Sequence, residues 1–177
     1  YTYDLPLAKL SGSSKGAVHK LLDGWRITGI TRFATGLPIG MGEGGDNSLC
    51  GCGGVDRPNW TGQPIQFFDP RASEDHKYFS TDVFFSENPD GNTFGVPGTA
   101  NRRFFHGPGL NMWDFSLHKT TRITERTSLE FRAEFFNIFN HAQFDNPVGN
   151  FASGSFGTVG SVRDFPRIGQ LALRFIF

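Results

Sequence analysis

The 177-residue sequence places its two cysteines one residue apart, in Cys50-Gly51-Cys52, with Asp46 and Asp56 close by. Thiolates and carboxylates at that density could hold a metal ion or act as a redox pair. The spacing supports neither. Zinc sites need a second Cys or His pair, and the five histidines, His19, His76, His106, His118 and His141, are scattered. A ring closed over a single residue also departs from relaxed disulfide geometry. The pair therefore reads as incidental to a loop, and no metal or other cofactor is expected. Gly40-Met41-Gly42-Glu43-Gly44-Gly45 satisfies G-x-G-x-x-G, but that motif holds pyrophosphate on a helix N-terminus, and Asp46-Asn47-Ser48 with more glycine follows instead. Asn59-Trp60-Thr61 is a glycosylation sequon that matters only in a eukaryotic secreted protein. Glu130 and Glu134 could be imagined as an acid/base pair, yet no nucleophile or pocket accompanies them. No catalytic residue, and so no enzyme, is expected.

Composition narrows the class further. Lys and Arg (17) balance Asp and Glu (17), so no global charge argues for nucleic acid. Charged residues make up 19%, below the roughly 25% of ordinary soluble domains, and 23 glycines exceed the usual share of about 7%. Twenty phenylalanines exclude a disordered tail, which lacks aromatics. No stretch approaches the roughly 20 apolar residues of a membrane-spanning helix. Residue 1 is Tyr rather than Met, so the chain is expected to start within a gene or after processing.

Which elements carry these residues follows from periodicity. In segment 167–177, Gly169, Leu171, Leu173, Phe175 and Phe177 share one parity against Gln170, Ala172 and Arg174, the pattern of a two-faced strand. Segment 113–123 sets Trp113, Phe115, Leu117, Thr121 and Ile123 against Asp114, Ser116, His118, Thr120 and Arg122. Only Lys119 breaks it, and near a strand end its stem can stay on the apolar face while the ammonium reaches a polar boundary. Segment 127–144 fits two templates: a strand alternating Leu129, Phe131, Ala133 and Phe135 with Ser128, Glu130, Arg132 and Glu134, or a helix with Phe131, Phe135, Ile138 and Phe139 as its stripe. Residues 25–39 read as a strand, 1–10 as a weaker one, and 15–23 as a turn. From 41 to 112 nothing periodic persists, and so long a loop is expected to carry function.

The reading is all-β: an antiparallel meander of about five long strands with loops alternating short and long. Transmembrane barrels show that alternation, with short periplasmic turns, long outer loops and strands apolar outside and polar inside. Trp25, Trp113 and Tyr3 then sit near strand ends, where aromatic belts belong. Asp114, His118, Glu130, Arg132, Glu134 and Arg174 are expected to face the lumen, and the parity of Leu171, Leu173, Phe175 and Phe177 to meet lipid. In the loop, aromatic residues alternate with charged ones, and Trp60, Arg57 and Tyr78 are the candidate ligand contacts. A self-packed lid accounts for the same residues equally well.

Several stretches resemble one family: Tyr3-Asp4-Leu5-Pro6, Gly24-Trp25-Arg26-Ile27-Thr28-Gly29-Ile30, Thr35-Gly36-Leu37-Pro38 and Asp56-Arg57-Pro58-Asn59. With them go Gly107-Pro108-Gly109-Leu110-Asn111-Met112-Trp113-Asp114, Arg132-Ala133-Glu134-Phe135-Phe136-Asn137-Ile138-Phe139-Asn140-His141 and the closing Leu171-Ala172-Leu173-Arg174-Phe175-Ile176-Phe177. Nearly end to end, the chain resembles the C-terminal part of a TonB-dependent outer-membrane receptor of the Oar-like group, whose barrel follows a carboxypeptidase-regulatory-like domain. The resemblance resolves 127–144 as a strand. It implies the C-terminal portion of a 22-stranded transmembrane barrel, one partial domain over 1–177, with one long extracellular loop at 41–112. It further implies bacterial outer-membrane localisation, uptake of a ligand, TonB and a plug domain as partners through the missing part, and lipid around the wall. Leu173, Phe175 and Phe177 resemble the signal read by the barrel-assembly machinery. The rival expectation is a soluble β-sandwich binding carbohydrate or a protein partner, which would bury Leu171, Leu173 and Phe175 under a second sheet.

Overall fold

A computed structural model describes residues 1–12, 15–51, 56–73, 75–86 and 95–177. In chain order the elements are β1 (Thr2–Leu5), α1 (Leu7–Leu10), α2 (Ala17–Leu22), β2 (Trp25–Ala34), β3 (Pro38–Gly40), β4 (Asn59–Trp60), β5 (Phe84–Phe85), β6 (Arg103–His106), β7 (Leu110–Arg122), β8 (Ser128–Phe136) and β9 (Ile168–Ile176). The chain forms two compact units. The first comprises Tyr1–Phe33, Asn111–Ala142 and Asp164–Phe177, and the second Ala34–Leu110 and Gln143–Arg163.

The first unit is one antiparallel sheet of five strands, ordered β1-β2-β7-β8-β9. Register follows the alternation. Phe115 lies opposite Phe135, Leu117 opposite Ala133 and Lys119 opposite Phe131, while Leu129 faces Phe175, Phe131 faces Leu173 and Ala133 faces Leu171. Those pairs make one apolar face. On the other, His118 meets Arg132, Ser116 meets Glu134 and Glu130 meets Arg174. A one-residue slip would exchange the two sets, so both faces enforce the pairing. Leu171, Leu173 and Phe175 are 72%, 69% and 55% exposed. Among the described residues no second sheet covers them, as a sandwich would require.

At one end of the sheet, residues 123–127 turn β7 into β8. Ile123 N–H donates to the Thr127 carbonyl at 3.0 Å, and the Thr124 and Thr127 hydroxyls lie 2.6 Å apart. At this end α1 and α2 join β1 to β2. Gly24 enters β2 at φ +73°, and a Cβ there would run into the Thr120 carbonyl; Thr120 N–H in turn donates to the Gly24 carbonyl at 2.9 Å. Only glycine meets both demands.

Several sequence boundaries move. The strand expected over 1–10 stops at Leu5, because Pro6 has no N–H for the ladder and its φ of −81° suits helix entry into α1. The turn expected over 15–23 contains the two-turn helix α2. The strand expected over 25–39 divides into β2 and β3 around Gly36, which packs so closely on Gly107 that no side chain fits. The strand expected over 127–144 ends at Phe136. Asn137 and Asn140 sit in the left-handed region at φ 49° and 53°, where Asn is among the few tolerated side chains.

That Asn turn is well held. The Asn137 side chain donates to the carbonyls of His141 (2.9 Å) and Phe165 (3.2 Å) and accepts from His141 N–H (3.0 Å), and Asp114 accepts from Asn137 N–H (3.0 Å). Asn140 accepts from Arg167 N–H at 3.0 Å, tying the entry to β9.

The second unit has its own core of Ile39, Met41, Phe79, Val83, Phe84, Ala100 and Phe156, with Trp60, Tyr78, Phe104, Phe105 and Phe151 packed against it. Phe79 is fully buried and meets Phe84, Phe105 and Phe156 edge-on at centroid distances of 6.1, 4.8 and 5.3 Å. Edge-to-face pairs each add about 0.5–1.5 kcal/mol beyond area burial. Segment 41–112 is therefore largely a folded body and not an open loop. Within the second unit β3 pairs with β6 and β4 with β5.

Replacing Asn137 by Ala removes three side-chain hydrogen bonds in a buried turn and the residue type suited to its backbone. The expected loss is about 3 kcal/mol, read from denaturant unfolding in detergent micelles; a change below about 0.5 kcal/mol contradicts this account of the strand end.

Candidate functional site

Strand parity alone gathers the charged residues of the first unit. His118, Glu130, Arg132, Glu134 and Arg174 share the polar face, as do Asp4 and Arg26 through their own register pair. Arg132 donates to Glu130 at 3.0 Å and lies 3.8 Å from Glu134. Gln170 donates to Glu134 from β9, and Arg26 donates to Asp4 at 2.6 Å. The result is a ladder of alternating sign around an open depression of about 700 Å³ reached by Asp4, Arg26, His118, Glu130 and Arg132. Asp114 belongs to the same parity, but its carboxylate is engaged by the Asn137 turn. Such a surface suits water or a polar protein face. Glu130 and Glu134 are separated by the Arg132 guanidinium, which contacts both.

The opposite face ends in aromatic groups. At one end of β2, Phe33 packs edge-on against Trp113 at 5.7 Å, and Trp113 against Phe139 at 5.7 Å. At the other, the Lys119 ammonium lies 5.6 Å from the Trp25 ring. Eight strand steps separate Trp25 from Phe33, about 26 Å along the strand and about 20 Å along a barrel axis at the usual tilt. An apolar band of about that height, bounded by rings at both ends, approaches the roughly 25 Å band of outer-membrane barrels.

A scan against family models matches residues 1–170 to the outer membrane beta barrel domain. The chain belongs to this family of outer-membrane β-barrel proteins. Its two-faced sheet is thus membrane wall, and the protein resides in the outer membrane. Comparison with curated proteins found no match, and comparison with solved structures found none either.

The candidate ligand contacts fall in the second unit of this outer-membrane protein. Trp60 donates through its indole to the Gln63 carbonyl at 2.9 Å and meets Phe104 edge-on at 4.9 Å. Tyr78 donates through its hydroxyl to the His106 carbonyl at 3.3 Å, and burial raises its pKa. Both rings therefore also serve packing. Arg57 is half-buried, and its charge helps hold Asp56 ionised. The structure does not bring the three together around one cavity. An open depression of about 700 Å³ is instead lined by Asp75, Lys77, Asp82, Phe151 and Phe156. Sequence reasoning missed it because half the lining comes from 151–158, a stretch without periodicity; its Phe-x4-Phe spacing was the available signal.

Asp46, Cys50 and Asp56 bring their ligand-type atoms within 4.8 Å of one another. Cys50 is disulfide-bonded, so its sulfur offers no thiolate; Cys52 lies outside the described residues. Asp46 accepts from the amides of Cys50 and Gly51, both at 3.0 Å. Asp56 accepts from the Ser48 hydroxyl at 2.6 Å and the Ser48 amide at 2.8 Å, and those bonds lower its pKa, the hydroxyl most. The two carboxylates organise the loop.

Because the folded Asp56 carboxyl titrates below its unfolded value of about 4, its contribution is complete above that value and lost as pH falls through the depressed one. Hydrogen exchange at the Ser48 amide is expected to stay protected down to about pH 4 and to accelerate below it. Asp56→Asn is expected to abolish that acid step; a step unchanged in the variant would assign it to another group.

Proposed function

We propose that the chain is a sector of a TonB-dependent outer-membrane receptor that takes up a ligand, its first unit barrel wall and its second unit a folded loop region. The observation that carries this reading is a compact second unit with its own aromatic core, built from the β2–β7 and β8–β9 connections. Such a unit takes about half of the chain's residues, far more than joining wall strands requires. In this reading β1 and β9 are closed by further strands, because each has only one neighbour among the described residues. The residues 123–127 turn faces the periplasm and the long β2–β7 and β8–β9 connections face outside, as short and long connections do in barrels.

The charged ladder then faces the lumen. Its alternating Glu and Arg side chains suit a plug domain, which must dock without hydrophobic adhesion if it is to move. Ligand capture falls to the second unit, with Trp60, Arg57 and Tyr78 as contacts and the depression lined by Asp75, Lys77 and Asp82 in the same unit. Pulling by TonB from the periplasm supplies the work, so the wall itself needs no catalytic group. The apolar β9 parity ending in Phe177 suits recognition by the barrel-assembly machinery during insertion.

Two measurements test separate parts. For the wall, a membrane-impermeant maleimide is expected to label His118→Cys and Arg174→Cys in outer membranes, and to leave Leu171→Cys and Leu173→Cys unlabelled; equal labelling of both sets overturns the assignment of faces. For transport, deleting the gene is expected to lower uptake of at least one medium component to the level seen with a protonophore. If no uptake rate changes, the receptor reading fails while the wall survives.

A further inference from the structure

The connection between β1 and β2 is basic and apolar at once. Across residues 6–24 it carries Lys9, Lys15, Lys20 and His19 against the single acid Asp23. Its apolar side chains are turned outward: Leu10 is 78% exposed, Val18 57% and Leu21 66%. In α2, Val18 and Leu21 lie three residues apart and so share a face. Exposed leucines beside lysines on a short element are the composition of a surface that lies in a membrane interface.

Two hydrogen bonds fix where this element sits. Trp25, on the apolar parity of β2, donates its indole N–H to the Leu21 carbonyl at 2.9 Å. Lys119, on the apolar parity of β7, donates to the Lys20 carbonyl at 2.8 Å and also to the Asp23 carbonyl. Both side chains rise from the lipid-facing side. The C-terminal turn of α2 is therefore held over the lipid edge of the wall, continuous with the surface that meets acyl chains. Between α2 and the end of β7 lies an open depression of about 390 Å³ lined by His19, Lys20, Asp23, Thr120, Thr121 and Arg122. Lys20, Arg122 and the hydroxyl groups offer donors to a phosphate. The Asp23 carboxylate, 4.0 Å from His19, is the one opposing charge.

We infer that α2, with Leu10 at the end of α1, is a lipid-binding foot: the depression seats the phosphate of an anionic glycerophospholipid of the periplasmic leaflet, and Val18, Leu21 and Leu10 enter its acyl region. The inference rests on outer-membrane residence and on the direction of the wall, not on transport. Lipid rather than free phosphate is the occupant because Lys20 of α2, flanked by the exposed Val18 and Leu21, and Thr121 of the apolar parity of β7 both line the depression, while Thr120 and Arg122 close it from the polar parity.

The test uses the whole protein, extracted from membranes containing both phosphatidylglycerol and phosphatidylcholine, with retained lipids counted by native mass spectrometry. The wild type is expected to hold phosphatidylglycerol selectively. Each cation near an anionic surface contributes a factor of about five, so Lys20→Gln with Arg122→Gln is expected to lower that selectivity about 25-fold, and Lys20→Arg to retain it. Val18→Asn with Leu21→Asn is expected to lower retention of either lipid. Heat-shifted gel mobility confirms that each variant remains a folded barrel. Unchanged selectivity in the folded double-charge variant overturns the proposal, as does complete displacement of phosphatidylglycerol by inorganic phosphate.

Discussion

Hydrocarbon offers a peptide group no hydrogen-bond partner, and everything in the first unit follows from that. Each unsatisfied N–H or C=O would cost several kcal/mol in the bilayer. The chain answers with long ladders, from Phe115 to Arg122 against β8 and from Ser128 to Phe136 against β9. Once pairing is obligatory, side chains alternate sides, and the sequence can write two surfaces into one strand. β8 does so residue by residue: Leu129, Phe131, Ala133 and Phe135 on one side, Ser128, Glu130, Arg132 and Glu134 on the other.

The same constraint explains the exceptions at the strand ends. Lys119 occupies an apolar position yet is only 8% exposed. Its ammonium escapes the hydrocarbon by reaching backbone carbonyls at the end of α2, where the partial negative charge of a helix terminus lies. The Trp25 ring accompanies it as both belt residue and cation-π partner. An interior lysine without those carbonyls would have to lose its charge or its place. The helix pair that the periodicity did not announce is what lets this lysine stand on the lipid side.

How much of this could be read beforehand follows the physics of each part. A period of two is a local signal enforced by solvent on both faces, so the paired halves of β7, β8 and β9 and the charged ladder were legible from residue order alone. Strand ends were less so, because they depend on single residues in special backbone states: Pro6 stops β1, and Asn137 and Asn140 stop β8 while Phe139 continues the alternating pattern beyond the true end. α2 was missed because six residues are too few to display a helical period. The second unit was least legible. Its core joins Ile39, Phe79, Ala100 and Phe156 across more than a hundred positions, and such packing leaves no local periodicity.

The phenylalanine excess illustrates the difference. A wall facing lipid is one use for it, and Phe115, Phe131, Phe135 and Phe175 serve it. Yet ten of the twenty phenylalanines belong to described residues of the second unit, where Phe79, Phe84, Phe104, Phe105 and Phe156 pack edge to face. That unit has almost no regular secondary structure to organise a core, since its strands are two to four residues long. Aromatic rings suit the task because each buries a large area with few rotatable bonds and interlocks with its neighbours in a preferred geometry. Glycine is rich in the same segments for the complementary reason: where Gly98 meets the Arg57 carbonyl, backbones approach too closely for any side chain. Two opposite extremes of side-chain size thus build one irregular body. The low charge that first set the sequence apart from soluble domains arises from the core of this body as well as from the lipid-facing wall.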